Sequence, residues 1–193
     1  MKHGLFGIQG PNVGVAFNLL FPSRRGLFFW TPFLLLSVFG YRSLFHLSRP
    51  SFWLVMIVPL VQVLVISGYV WDWPAGWALG PRYLAPILPL LLLPAALVTE
   101  KHLFLGGYLA SISILLTGLA THIDATPPPV SNLLLEKYLP ELVLGDCGFS
   151  LGKLAGLGGH ASLCLFWATM FPLIGGLVMM ARTLEKRGIV SRT

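Results

Sequence analysis

Apolar residues run through this chain in long blocks, separated by short polar joints and by joints rich in glycine and proline. A helix needs about 20 residues, within roughly 17 to 25, to cross the hydrocarbon core of a bilayer. Five blocks approach or meet that length, at 26–44, 52–71, 84–99, 103–121 and 161–181. The third is short and carries Pro86, Pro89 and Pro94, which predicts a broken span. A further apolar stretch at 5–21 is interrupted by Gly7, Gly10, Pro11 and Gly14 and reads as a re-entrant or interfacial segment. The expected fold class is all-α: a polytopic transmembrane helical bundle of about five spans, with 1–193 forming a single membrane domain. No internal repeat is visible.

The joints divide unevenly. An amino-terminal segment, 1–25, and a loop at 122–160 are long, whereas the others are short. The loop opens with a stiff TPPP turn at 126–129. It continues as LLLEKYLPELVLG, 133–145, whose leucines and charges suit a short helix on the membrane surface, with Glu136 and Glu141 on its wet side. The glycine-rich GDCGFSLGKLAGLGGH, 145–160, then returns to the bilayer.

Composition agrees with this pattern. Of 193 residues, 55% are hydrophobic and only 10% are charged, and mean hydropathy is +0.79. Soluble domains carry roughly a quarter charged residues, so a soluble enzyme and a disordered chain are excluded. Cys147 and Cys164 make no disulfide framework. The opening MKHGLFGIQGPNVG lacks the unbroken apolar core of a secretory signal.

The net charge of +6 is scattered singly between apolar blocks, which suits orientation in a bilayer and predicts no nucleic-acid partner. The tail RTLEKRGIVSRT, 182–193, carries Arg182, Lys186, Arg187 and Arg192 and is expected in the cytoplasm. Alternation then puts Arg42, Arg49 and Lys101 on the same side. Lys2, Arg24, Arg25, Arg82, Lys137 and Lys153 fall on the outer side, spread over many more loop residues. The expected location is the bacterial inner membrane, multi-pass, with a cytoplasmic carboxy terminus.

Chemistry is sparse inside the blocks. They hold no Asp or Glu, which counts against an ion-coupled transporter, since proton relays need ionisable groups at membrane depth. Gln62 is expected to hydrogen-bond between helices. Arg24 and Arg25 stand immediately before the first block, where a pair of guanidiniums suits capture of phosphate or, more simply, snorkelling to lipid headgroups. Arg82 lies in WDWPAGWALGPRYLAP, 71–86, among Trp71, Trp73, Trp77 and Tyr83, either approaching a ligand or anchoring an interfacial aromatic belt. Together, arginines on two outer loops would form a site for a phosphorylated lipid headgroup. Asp72 is the best-placed acid and is expected to pair with Arg82 or to cap a turn. His122, Asp124, Cys147 and His160 share the outer loop without ligand spacing, so no metal or cofactor is expected. GFSLGKL is no phosphate loop, because Cys147 stands where its first glycine belongs and Leu154 follows the lysine.

Three elements in order, LLFPSRRGLFFWTPFLLL (19–36), WDWPAGWALGPRYLAPILPLLLLP (71–94) and GFSLGKLAGLGGHASL (148–163), give the chain a family likeness. It resembles the carboxy-terminal half of bacterial polytopic membrane glycosyltransferases of the GT-C type, the mannosyltransferase and arabinosyltransferase group that uses polyprenyl-phosphate sugars. Pro74, Ala75 and Ser150 depart from the family pattern. The resemblance implies a transferase site on the outer face, with Arg25 and Arg82 at the matching motif positions on the lipid phosphate; Arg24 is expected to join them, with Asp72, Trp77 and Tyr83 in support. It implies a polyprenyl-phosphate lipid and membrane lipids as partners. The family's catalytic acid lies in an earlier outer loop, and no acid precedes Asp72 here. The expectation is a fragment, or a half completed by a protein partner, with no turnover alone. The alternative is a non-catalytic scaffold or subunit of a larger complex.

Overall fold

The computed structural model describes residues 10–69, 82–127, 132–146, 148 and 151–186, and among these every regular element is a helix. The chain divides into two compact units, Met1–Pro140 and Glu141–Thr193.

In the first unit, α1 (Val13–Leu20) is an eight-residue helix, about 12 Å long and too short to cross a bilayer. Asn12 starts it: its backbone is extended and its side-chain oxygen accepts from the N–H groups of Gly14 and Val15 at 2.8 and 3.2 Å. The Asn12 N–H donates to the Ser67 carbonyl at 3.3 Å, which fastens α1 to the end of the second predicted block.

The first predicted block, 26–44, is not one helix. It consists of α2 (Leu27–Trp30), a 3-10 turn over Pro32–Leu35, and α3 (Leu36–Leu47). Pro32 lacks an N–H and disfavours helical backbone at the residue before it. Thr31 accordingly sits at φ −130°, ψ 69°. A backbone break among apolar helices must be satisfied from within the protein. The Phe33 N–H is met by the buried Ser113 hydroxyl oxygen at 3.0 Å.

The next blocks are continuous. Helix α4 (Arg49–Ser67) begins at Ser48, whose extended backbone and hydroxyl cap it, with Pro50 in the first turn where no N–H partner is required. A 3-10 segment over Arg82–Ile87 leads into α5 (Leu88–Lys101), and α6 (Leu103–Ile123) follows. Among the described residues three helices, Arg49–Ser67, Arg82–Lys101 and Leu103–Ile123, are long and apolar enough to cross a membrane. By the length and composition of its helices the protein is a helical, integral membrane protein. Its third span is not broken by proline as expected. Pro86 falls in the tight opening segment, Pro89 in the first turn, and Pro94 is buried against α3. There Gly40 lies so close to the Pro94 carbonyl that any Cβ would overlap it.

One apolar cluster, Val15, Leu19, Leu27, Leu34, Ile66, Leu84, Ile87 and Leu91, joins α1, α2, α4 and the start of α5. Leu36, Ala95 and Val98 form another between α3 and α5. Past α6, a π-type turn over Leu134–Tyr138 runs into α7 (Leu139–Leu144), in the stretch expected to be helical. It does more than lie on a membrane surface, because Leu133 and Tyr138 are fully buried in the protein.

In the second unit, α8 (Leu151–Leu154) precedes the 28-residue α9 (Gly159–Lys186), which encloses the predicted block 161–181. Gly145, at φ 69°, leaves room for the His160 ring where a Cβ would stand.

Candidate functional site

Asp124, the first residue after α6, organises one end of the first unit. Its carboxylate accepts from the Thr126 N–H at 2.8 Å and the Thr126 hydroxyl at 3.1 Å, and it takes a short charged hydrogen bond from the Lys137 ammonium. Its carbonyl accepts from the Tyr138 hydroxyl at 2.9 Å. Burial works to raise the Asp124 pKa, but the Lys137 hydrogen bond, the Thr126 N–H and the Lys137 charge together hold it below its ordinary value. Asp124 is thus an ionised tether, its oxygens already engaged, and is poorly placed to act as a base.

The tether fixes the Leu134–Tyr138 turn. Within the same stretch the Asn132 side chain accepts from the Leu135 N–H at 3.3 Å, while Glu136 accepts from the Asn132 N–H at 3.2 Å, a reciprocal cap. The predicted wet residue Glu136 therefore has a structural task. Tyr138, fully buried, then meets Trp30 edge-on with ring centroids 5.7 Å apart. Trp30 is itself 3% exposed, and its indole N–H has no hydrogen-bond partner among the described residues.

Arg25 belongs to this end. The chain turns tightly over 22–26, the Gly26 N–H donating to the Pro22 carbonyl at 2.6 Å, and a Cβ at Gly26 would run into the backbone of Phe21 and Pro22. That explains glycine after the arginine pair. The turn sends Arg25 into the protein, 1% exposed, and leaves Arg24 half-buried. Burial and then the charge of Arg24 lower the Arg25 pKa, while Tyr138 acts in the opposite direction. Arg25, Trp30 and Tyr138 are thus all buried at this end, with the half-buried Arg24 beside them. His122, in the last turn of α6, is also buried.

The other predicted site residues differ in setting. Arg82 is exposed, and Tyr83 is partly exposed. The Tyr83 carbonyl accepts from the Gln62 side-chain amide at 3.0 Å, the hydrogen bond between elements that was expected of Gln62. Leu27, two residues after Arg25, and Leu84, two residues after Arg82, belong to one apolar cluster. Yet Arg25 turns inward and Arg82 outward. Asp72 and Trp77 lie outside the described residues. Sequence reasoning missed Trp30, Tyr138 and the Asp124–Lys137 pair, because nothing along the chain announces pairings across such separations.

Comparison with known proteins does not extend this description. No protein family, no curated protein and no solved structure matches the chain.

Proposed function

We propose that this membrane protein holds the phosphate of a polyprenyl-phosphate lipid at the Arg24–Arg25 end. In this reading it serves as the lipid-binding half of an outer-face glycosyltransferase of the bacterial inner membrane, with its carboxy terminus in the cytoplasm. The observation that supports this most is the arginine pair itself. Two guanidiniums are adjacent, one buried and one half-buried, and burial followed by the Arg24 charge works against the charged form of Arg25. An anion with several oxygens relieves that repulsion, and a guanidinium fork matches phosphate geometry. Arg24 is the reachable member, Arg25 stands behind it, and exposed Arg82 would join from the neighbouring element. During transfer the acceptor's hydroxyl oxygen would bond to the sugar's anomeric carbon as the bond to the phosphate oxygen breaks, a carboxylate would take the hydroxyl proton, and the arginines would steady the charge gathering on the leaving phosphate. The catalytic acid would come from a protein partner.

The burial of Arg25 favours a second reading, a scaffold in which this arginine serves packing alone. Binding separates the two. The protein in nanodiscs is exposed to a polyprenyl phosphate and to the matching neutral polyprenol, and retained lipid is measured by native mass spectrometry. The phosphate should be retained over the alcohol, and Arg24→Gln should weaken retention by about tenfold or more, the worth of a charged hydrogen bond of roughly 1.5–3 kcal/mol. Equal retention by wild type, Arg24→Gln and Arg25→Gln, all folded, would leave the scaffold reading standing.

A further inference from the structure

At the opposite end of the first unit, α3 passes into α4 through Ser48, and α5 passes into α6 through His102. The two junctions lie side by side, because the Lys101 ammonium donates to the Ser43 hydroxyl at 3.4 Å. Arg42, Arg49 and Lys101 are exposed there, as are His46 and His102, with Glu100 the acid of the same turn. Arg49 is held with its guanidinium carbon 5.5 Å from the Phe45 ring centre, a cation–π placement. Phe45 is braced in turn by Phe52 at 5.0 Å, and Phe52 by Tyr41 and Trp53 at 6.1 and 5.3 Å. Two cations on different helices are therefore held in place, one by a hydroxyl and one by an aromatic face. Around them Leu47, Trp53, Leu103 and Phe104 present large exposed apolar surfaces.

Exposed cations, one of them over an aromatic face, beside bare apolar side chains match the boundary between headgroups and acyl chains. A soluble anion would use the charges and leave the apolar rim idle, whereas a phospholipid uses both. The positive poles of α4 and α6 at this end are offset by the negative poles of α3 and α5, which end at the same junctions, so the attraction for an anion comes from the side-chain charges.

We propose that this collar, centred on Arg42, Arg49 and Lys101, is a binding site for the headgroup of an anionic phospholipid. The phosphate would sit between the α3–α4 and α5–α6 junctions, with the acyl chains running along the apolar rim. The site is separate from the Arg24–Arg25 end and does not depend on what that end binds.

The test uses the full chain in nanodiscs of phosphatidylcholine and phosphatidylglycerol in equal amounts, extracted gently and read by native mass spectrometry for retained lipid. Phosphatidylglycerol should be enriched over phosphatidylcholine. The enrichment should fall about fivefold for each charge removed in Arg42→Gln, Arg49→Gln and Lys101→Gln, from the usual worth of one basic residue near an anionic surface. Because these side chains are exposed, the single variants should retain the wild-type melting profile in phosphatidylcholine alone, and Arg49→Lys should keep most of the enrichment. Three results would overturn the proposal: a retained ratio equal to that of the bilayer, a ratio unchanged in all three variants, or a ratio lost in Arg24→Gln instead. Displacement of the lipid by millimolar inorganic phosphate would assign the collar to a free anion and would also refute it.

Discussion

Single residues decide where this fold can bend. Pro32 breaks the first apolar block, and the cost of that break falls on one N–H, at Phe33, which Ser113 satisfies from the middle of α6. Ser113 also donates back to the Leu109 carbonyl at 2.8 Å, so its hydroxyl serves both helices. Replacing Ser113 with Ala should leave the Phe33 N–H buried without an acceptor, costing about 1–3 kcal/mol. Ser113→Thr should recover most of that. Unfolding in mixed micelles with increasing denaturing detergent would measure both; equal stability of Ser113→Ala and wild type would show that the break is satisfied in another way. Gly40 plays the converse part, since the absence of a side chain lets α3 seat against the Pro94 carbonyl.

At the scale of elements, the Leu134–Tyr138 turn shows how a loop becomes part of a bundle. Its hold on α6 is the Asp124 carboxylate with Lys137 and the Asp124 carbonyl with Tyr138. The Asp124 pKa is depressed by folding, so its stabilising effect is complete above the ordinary value of 3.8 and is lost as pH falls through the lower folded value. Docking of the turn should be insensitive to pH near neutrality and should loosen only in acid below about pH 4. Asp124→Asn should remove about 1.5–3 kcal/mol of docking at neutral pH, the value of a hydrogen bond to a charged group, and with it the acid dependence. Hydrogen exchange of the amides in 133–140 reports this directly. Protection in Asp124→Asn equal to wild type at both pH values would contradict it.

For the whole molecule, the proposed orientation makes a prediction independent of either lipid site. A fluorescent protein fused after Thr193 should fold and glow, whereas alkaline phosphatase fused there should be inactive. The phosphatase joined after Thr126 should be active. The opposite pattern would reverse the assignment of both ends, and the Arg24–Arg25 end would then face the cytoplasm.

The long spans were readable along the chain because burial in lipid demands continuous apolar runs of fixed length. That requirement acts on each segment alone, so α6 appears within two residues of its expected end, and α4 and α5 appear where the apolar blocks stand. Gln62 was readable for a similar reason: an amide among apolar helices has to find a partner. Proline carries less information in isolation. Pro86, Pro89 and Pro94 predicted a broken span, yet the chain remains helical: two fall in the opening turns, and Pro94 lies inside α5, packed against Gly40. Pro32, a single proline, does interrupt its block.

The candidate site was legible only in part, through an arginine pair out of place among apolar residues. Its inward turn, the burial of Trp30 and Tyr138 behind it, and the Asp124–Lys137 tether depend on contacts between segments far apart in the chain. Local hydropathy and propensity set the class of the protein and the length of its helices, because those act residue by residue against water and lipid. Which arginine is hidden and which is offered follows from how α2, α6 and the 134–138 turn close around one another, a matter of packing that exists only once the chain is folded.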